Sequence, residues 1–381
     1  MAVTFTVTLG GVPLRRTYVS HFDLARAPQT LFFRTDEAGQ VTVANAGLAN
    51  FTLDPNGPNS PITVTVHAQN SVVRVLDGNF PIPVGVTQNF TVTNGAAINI
   101  NTDAEQQDHF RIMDSCLVAY DTVFRQFRPF NRPGRRAFPF GQAATVAATR
   151  DMLPRIEVVY PDNSLSVLAW VEPFSLGTRY PLIHIKVPAP ATNSTLIPHE
   201  LAHALYFALM PDATRVSVEA QYVAWLTSRI ASDLPPFHNT ILATTPFVAW
   251  IECLGLFSER FFSFSRRLTP PLTGSALRQA FFRDELSAAP LLQTTNGYRQ
   301  VGNLNAAGNV VPALTGDNVE GALYGAIFLD FARRKGLREA VGQYLESSDN
   351  SVLVFDDFRN LVIAETEFDN DITQVANTWG L

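Results

Sequence analysis

The spacing of apolar residues changes near residue 100, and this change limits the possible folds more than any other feature of the sequence. In residues 3–9, Val, Phe, Val and Leu alternate with threonine, which is the period-two pattern of a half-buried strand. Clusters of Gly, Pro and Asn separate further runs of this kind, which lie at 31–35, 40–44, 62–68, 72–76 and 90–93. Short strands at this spacing predict an all-β sandwich over residues 1–100. The turn-forming residues 36–39 predict a hairpin between two of the runs.

Beyond residue 100 the apolar residues follow helical spacing instead. Thr102 and Glu105 stand at capping-box spacing ahead of an apolar stripe over 110–127, which predicts a long helix. Three strand candidates follow, at 155–160, 166–171 and 182–187. Helical patterns then dominate to the C-terminus, so residues 101–381 are predicted to hold a small sheet followed by helices. The whole chain is therefore predicted to be an α+β multidomain protein.

Composition and charge exclude several classes of protein. Hydrophobic residues make up 46% and charged residues 16% of the chain, which is too apolar and too weakly charged for a disordered protein. The formal net charge of -6 argues against nucleic acid as a partner, because neutralising phosphates needs a concentrated basic surface. Even the apolar stretch 241–264 contains charged residues, so no membrane span is predicted. The alternating N-terminus predicts a strand and not a signal peptide, and the sequence alone assigns neither compartment nor oligomeric state.

One short motif has the residues and spacing of a metal site. Residues 197–203, Ile-Pro-His-Glu-Leu-Ala-His, contain the pattern His-Glu-x-x-His in a predicted helix, where Pro198 suits the first turn. Residues four apart lie on the same helix face, so the imidazoles of His199 and His203 can converge on one metal ion. Random placement of the 7 His and the glutamates of this chain gives roughly 0.005 occurrences of the pattern, so coincidence is a poor explanation.

Glu200 lies beside this histidine pair and supplies the chemistry of a general base. It can accept a proton from a metal-bound water, whose pKa zinc lowers toward about 7, and later pass that proton to a leaving amine. The sequence therefore predicts Zn²⁺ as cofactor, His199 and His203 as its ligands, and Glu200 as the catalytic base.

Tetrahedral zinc that keeps one open position needs a third protein ligand. No third histidine follows at the spacing of the extended metzincin motif, so a carboxylate is expected from Glu219, Glu252 or Glu320, each in or at the start of an apolar helical stretch. Glu219 comes 16 positions after His203, at the start of a helix predicted over 218–230. As a non-ligand it would orient a ligand imidazole or be a first-turn helix charge, and the latter role also suits Glu320.

These residues resemble those of the gluzincins, zinc peptidases with His-Glu-x-x-His on one helix and a ligand Glu on the next. Their second helix often reads Trp-x-Glu-Gly-x-Ala, and residues 250–255, Trp-Ile-Glu-Cys-Leu-Gly, match it at Trp and Glu and keep small residues at the other two positions. Residues 318–330 are similar to a C-terminal helix of some members, and the likeness covers roughly residues 180–365. The resemblance implies Glu252 as third zinc ligand and a zincin-like catalytic domain over 101–381.

The resemblance also implies a function. Gluzincins hydrolyse peptide bonds in protein or peptide substrates, and the Gly-x-Met-Glu-Asn motif of their aminopeptidases is absent here, which favours an endopeptidase. Residues 35–43 resemble a hairpin of carboxypeptidase regulatory-like (prealbumin-like) domains, which implies a sandwich of that type at the N-terminus. Two alternatives stay open: a binding or adhesion protein with a structural or degenerate zinc site, and a hydrolase of non-peptide amides or esters.

Hydrolysis through a tetrahedral intermediate also needs a donor for the oxyanion. The candidates are Tyr222, Tyr298, Tyr324 and His238, and the sequence does not choose between them. Cys253, beside the predicted ligand Glu252, is expected to be a small core residue.

Overall fold

The fold is that of a computed structural model. It describes residues 2–23, 29–44, 60–78, 84–92, 97–101, 107–127, 156–163, 169–173, 181–186, 195–231, 244–287, 291–294, 297–307, 309–365 and 369–381. Contacts divide the chain into two compact units. The first unit holds Met1–Val118, Pro139–Leu168 and His184–Ser194, and the second holds Ala119–Phe138, Ala169–Ile183 and Thr195–Leu381. The domain boundary predicted at residue 100 stays a prediction.

The N-terminal part of the first unit consists of strands. They are β1 (Ala2–Leu9), β2 (Val12–Pro13), β3 (Tyr18–Asp23), β4 (Gln29–Arg34), β5 (Gln40–Ala44), β6 (Ser60–His67), β7 (Arg74–Asp77), β8 (Gly85–Val92) and β9 (Ala97–Asn101). In one sheet β1 pairs antiparallel with β2 and β5 and parallel with β9. A second, antiparallel sheet has the order β4-β3-β6-β8. The period-two pattern thus predicted strands correctly, whereas their packing as a sandwich stays a prediction.

The predicted hairpin around residues 36–39 is wrong, although the turn itself forms. Asp36 Oδ1 accepts hydrogen bonds from the backbone N–H groups of Ala38 and Gln40, each 2.8 Å long, and Gly39 adopts a φ of 70°. However, β4 pairs with β3 and β5 pairs with β1. The turn therefore carries the chain from one sheet to the other and does not join two paired strands.

The remaining secondary structure follows the predicted change to helices. The helix predicted over 110–127 is found as α1 (Gln107–Ala119), which continues as a π-helical segment, Tyr120–Phe124, and a 3-10 turn, Arg125–Phe127. The next strands are β10 (Glu157–Tyr160), β11 (Ala169–Glu172) and β12 (Leu182–Ile185), close to the three predicted ones. Within the first unit, β10 pairs parallel with β7.

The second unit is mostly helical from residue 195 onward. Its helices are α2 (Leu196–Leu209), α3 (Asp212–Ala231), α4 (Pro246–Arg267), α5 (Gly274–Ser287), α6 (Glu320–Tyr324), α7 (Ala332–Lys335), α8 (Leu337–Ser347), α9 (Phe355–Glu365) and α10 (Asp369–Trp379), with a π-helical segment at Gly325–Phe331. Two antiparallel pairs lie between α5 and α6: β13 (Leu291–Thr294) with β14 (Gly297–Gln300), and β15 (Gly302–Leu304) with β16 (Val310–Pro312). Antiparallel sheets followed by helices agree with the predicted α+β class. Across the described ranges, no helix has the length and apolar character needed to cross a bilayer.

Buried aromatic residues hold α2 against α4 in the second unit. Trp250 of α4 stacks on Tyr344 with ring centroids 4.3 Å apart, and its Nε1 donates a 2.9 Å hydrogen bond to the hydroxyl of Tyr206 on α2. The Tyr206 hydroxyl in turn donates to the Val352 carbonyl, at 2.8 Å. The Trp250–Tyr344 stack, of a kind that contributes about 0.5–1.5 kcal/mol beyond its buried area, holds α4 against α8, and the Trp250–Tyr206 hydrogen bond links α4 to α2.

Candidate metal centre

Helix α2 carries three of the predicted site residues. Pro198 lies in its first turn, where no backbone N–H is needed for an intrahelical hydrogen bond, and the N–H of His199 donates to the carbonyl of Thr195 at 3.1 Å. Thr195 is the N-cap residue, but its side chain makes no capping hydrogen bond. His203 is 5% exposed and Glu200 is 7% exposed, so both side chains lie in the interior.

Helix α4 carries the predicted third ligand. Two residues define the start of this helix. The Thr245 side chain caps it by accepting a hydrogen bond from the Val248 N–H at 3.2 Å, and Pro246 occupies the first helical position. Trp250 anchors the first turns in the core, two residues before Glu252. Glu252 is 2% exposed, so this carboxylate is held at a fixed, dry position between the two helices.

A single carboxylate oxygen meets both histidines. Glu252 Oε2 lies 3.0 Å from Nε2 of His199 and 3.2 Å from Nε2 of His203. The two imidazole rings meet edge to face, with centroids 4.7 Å apart and planes at 85°. Potential donor atoms of the three side chains all lie within 4.8 Å of one another, the only such group found among the described residues.

This donor set fits a catalytic zinc site. Two metal–ligand bonds of about 2.0–2.1 Å at the tetrahedral angle place their donor atoms about 3.3 Å apart. The measured separations of 3.0 and 3.2 Å from Glu252 Oε2 to the two Nε2 atoms are close to this value. Two imidazoles and one carboxylate also form one of the common three-ligand sets that leave a fourth position open. The three side chains therefore could hold a metal ion.

The second ring nitrogen of His199 faces another carboxylate, Glu259. Its Oε2 lies 3.4 Å from Nδ1 of His199. A ligand histidine commonly donates its second N–H to such a carboxylate, which fixes the tautomer and the ring orientation. This contact of Glu259 was not predicted from the sequence. A signal was present, because Glu259 follows Glu252 by two helical turns and so lies on the same face of α4.

The two histidines differ in their surroundings. Burial alone would lower the pKa of His199, but hydrogen bonds to Glu252 and Glu259, with the nearby charge of Glu200, raise this pKa well above its usual value. A metal that binds Nε2 must therefore displace a proton from it. By contrast, Nδ1 of His203 is buried and has no hydrogen-bond partner among the described residues.

The other two predicted third ligands, Glu219 and Glu320, do not join this group of donors. Glu320 is 1% exposed and begins α6, so it is the first-turn helix charge that the sequence offered as its alternative role. The helix expected to begin at residue 218 starts earlier, at Asp212, which places Glu219 inside α3. The interpretation of Glu219 as a first-turn charge is therefore wrong.

Of the four predicted oxyanion donors, only Tyr222 and Tyr324 have described side chains, and the charges of the candidate metal centre act on Tyr222. Desolvation raises the pKa of its hydroxyl, and the charges of Glu252, Glu200, Glu320 and Glu219 raise it further.

The other oxyanion candidates are placed differently. The Tyr324 hydroxyl donates a 2.6 Å hydrogen bond to Glu285, which also pairs with Arg260. Tyr298 belongs to β14, but its side chain is outside the described residues, as is all of His238. Cys253 is fully buried, as expected of a small core residue, and burial raises the pKa of its thiol far above the usual value.

Comparison with known proteins assigns no family to the chain. No protein-family model matches the chain, and no curated protein matches its sequence. Inference of a function therefore rests on the side chains of α2 and α4, and on the resemblance of their motifs to those of gluzincins.

Proposed function

We propose that the chain is a zinc-dependent peptidase in which His199, His203 and Glu252 hold the metal. One observation carries the proposal: Oε2 of Glu252 lies within 3.2 Å of Nε2 of both histidines, in a buried position between two helices. Burying a carboxylate next to two imidazoles is costly unless a cation or protons compensate the charge. A divalent metal at this position compensates it and uses all three donors.

The chain's own residues would perform the proton transfers. Zinc supplies a Lewis acid and lowers the pKa of coordinated water toward about 7. Glu200 is buried, follows the proposed ligand His199 directly in the sequence, and its charge acts on the His199 ring. It takes the proton of the attacking water and later delivers it to the leaving amine. The Nδ1–H of His199 donates a hydrogen bond to Glu259, which would keep the lone pair of Nε2 directed at the metal position.

Tyr222 is our proposed donor to the developing oxyanion. Its hydroxyl is within the electrostatic reach of Glu200 and Glu252, the proposed base and ligand. Its raised pKa keeps the hydroxyl protonated at neutral pH, and therefore able to donate. The Tyr324 hydroxyl, by comparison, already donates to Glu285.

Three finer assignments belong to the same proposal. The helical region is proposed to have a zincin-like fold, and residues 1–100 a prealbumin-like sandwich; the two N-terminal sheets support the sandwich, although residues 36–39 do not form the hairpin of the resemblance. The substrate is proposed to be a protein or peptide cleaved at an internal bond. The binding or adhesion protein with a structural zinc site is the alternative from another class.

Zinc content and a single substitution test the proposal. Protein purified without chelator should contain about one zinc per chain by mass spectrometry. Glu200→Gln should keep this zinc and lose about 10²- to 10⁴-fold in the rate of peptide cleavage. The exposed Asp356→Asn serves as a matched control, because it also removes one negative charge. An N-terminally blocked, internally quenched peptide library reports endopeptidase activity, since an aminopeptidase cannot cut blocked substrates.

The outcomes separate the alternatives. A chain without zinc, or a Glu200→Gln variant as active as the wild type, would refute the peptidase. A zinc-loaded chain that cleaves no peptide but cleaves amide or ester substrates would show a hydrolase of another class. A zinc-loaded chain without any hydrolysis would favour the binding protein.

A further inference from the structure

Gly255 of α4 lies against the flat face of the His199 imidazole. A Cβ atom built on Gly255 would come within 2.7 Å of both Cε1 and Nε2 of that ring, and within 2.9 Å of Cδ2. Real Cβ contacts are essentially never this short. Only a residue without a side chain therefore allows the ring to occupy its observed position.

Three residues on one face of α4 surround this ring. Glu252, Gly255 and Glu259 are spaced by three and four positions, so they follow one another along the same side of the helix. Glu252 meets the ring at Nε2, Glu259 meets it at Nδ1, and the backbone of Gly255 lies beneath its face. The ring cannot turn away from an added methyl group without lengthening at least one of the two carboxylate contacts.

We infer that Gly255 is a positioning residue, which sets the plane of the His199 imidazole so that Nε2 points at the metal position. This inference rests on the proposed function of the site as a metal centre. Glycine inside a helix is about 0.5–1 kcal/mol less stable than alanine. Helix α4 nevertheless has a glycine at the point where it approaches the ring. This is expected where the geometry of the site matters more than the helix propensity of a single residue.

The first test measures zinc affinity in the full chain. Gly255→Ala should weaken zinc binding about 10- to 100-fold in competition with a chromophoric chelator, the range seen when the residues that orient a metal ligand are changed. The absorption bands of the cobalt-substituted protein should also shift, because the ligand field depends on ring orientation. Cys253→Ala is the control: it changes the same helix next to Glu252 without adding an atom near His199, and it should keep wild-type affinity and bands.

A second test identifies the His199 ring as the cause, even where Gly255→Ala folds poorly. In a His199→Ala background the ring is absent, so adding Gly255→Ala should leave the stability of the metal-free chain unchanged or raise it. In the wild-type background the same substitution should lower that stability. Equal losses in both backgrounds, or a Gly255→Ala variant with wild-type zinc affinity and cobalt spectrum, would overturn the inference. Failure of the wild-type chain itself to bind zinc would instead refute the proposed function together with it.

Discussion

Substitutions of Glu259 test how much a residue that contacts a proposed metal ligand, but does not itself bind the metal, contributes to zinc affinity. We predict that Glu259→Gln weakens zinc binding about tenfold, or ~1.4 kcal/mol. The amide oxygen of Gln can still accept a hydrogen bond from Nδ1–H of His199, so the ring keeps its orientation while the negative charge is lost. Glu259→Ala removes both the charge and the acceptor, and it should approach a hundredfold loss.

The magnitude follows from the geometry of the contact. Oε2 of Glu259 lies 3.4 Å from Nδ1 of His199, which is long for a charged hydrogen bond, and the Glu259 side chain is 33% exposed. Solvent therefore screens the charge of Glu259 more than that of Glu252, whose side chain is only 3% exposed. We consequently place the effect of Glu259→Gln at the lower end of the range for residues that orient a metal ligand.

Chelator competition at fixed pH measures these affinities, and Asp356→Asn again controls for the loss of one negative charge. The ordering of the variants is the decisive result. If Gln and Ala at position 259 both bind zinc as tightly as the wild type, Glu259 does not orient His199. If both lose affinity equally, the accepted hydrogen bond contributes nothing and the lost charge alone explains the effect.

Three further outcomes follow from particular contacts. Tyr206→Phe leaves the Trp250 N–H and the Val352 carbonyl without their buried partner, so the free energy of unfolding in urea should fall by about 2–3 kcal/mol. Tyr222→Phe should lower kcat about 10²-fold without changing zinc affinity, as measured by steady-state kinetics and chelator competition; unchanged kcat would remove Tyr222 as the oxyanion donor. Burial lowers the pKa of His67 in the folded chain, so the unfolded state binds more protons below a pH of about 6.5. Stability should therefore fall as the pH drops from about 6.5, and His67→Gln should reduce this pH dependence in urea unfolding curves.

The sequence predicted the half of the candidate metal centre that depends on local geometry. His199 and His203 are one helical turn apart, and any α-helix through them brings their side chains to one face. The position of Glu252 depends instead on how α4 packs on α2, which no local pattern encodes. Its selection came from the resemblance of residues 250–255 to the gluzincin helix, and the structure brings Glu252 to the two histidines.

The errors in the fold have the same origin. Residues 36–39 have the composition of a turn, and a turn forms there, but the partners of the flanking strands are set by distant pairing with β1 and β3. The π-helical segments at Tyr120–Phe124 and Gly325–Phe331 were not predicted either. Over one or two turns an α-helix and a π-helix bury nearly the same apolar residues, so periodicity does not distinguish them.

The ligands of the proposed metal centre come from two helices that the core already holds together. Tyr206 follows His203 by three residues on α2, and Trp250 precedes Glu252 by two residues on α4. The indole N–H of Trp250 donates a hydrogen bond to the Tyr206 hydroxyl. A second buried link joins the Ser258 hydroxyl to the carbonyl of Pro198, beside His199, at 2.7 Å. Neither link uses a metal donor, so apolar packing and these hydrogen bonds fix the donor positions. In small zinc domains, by contrast, metal binding itself drives folding.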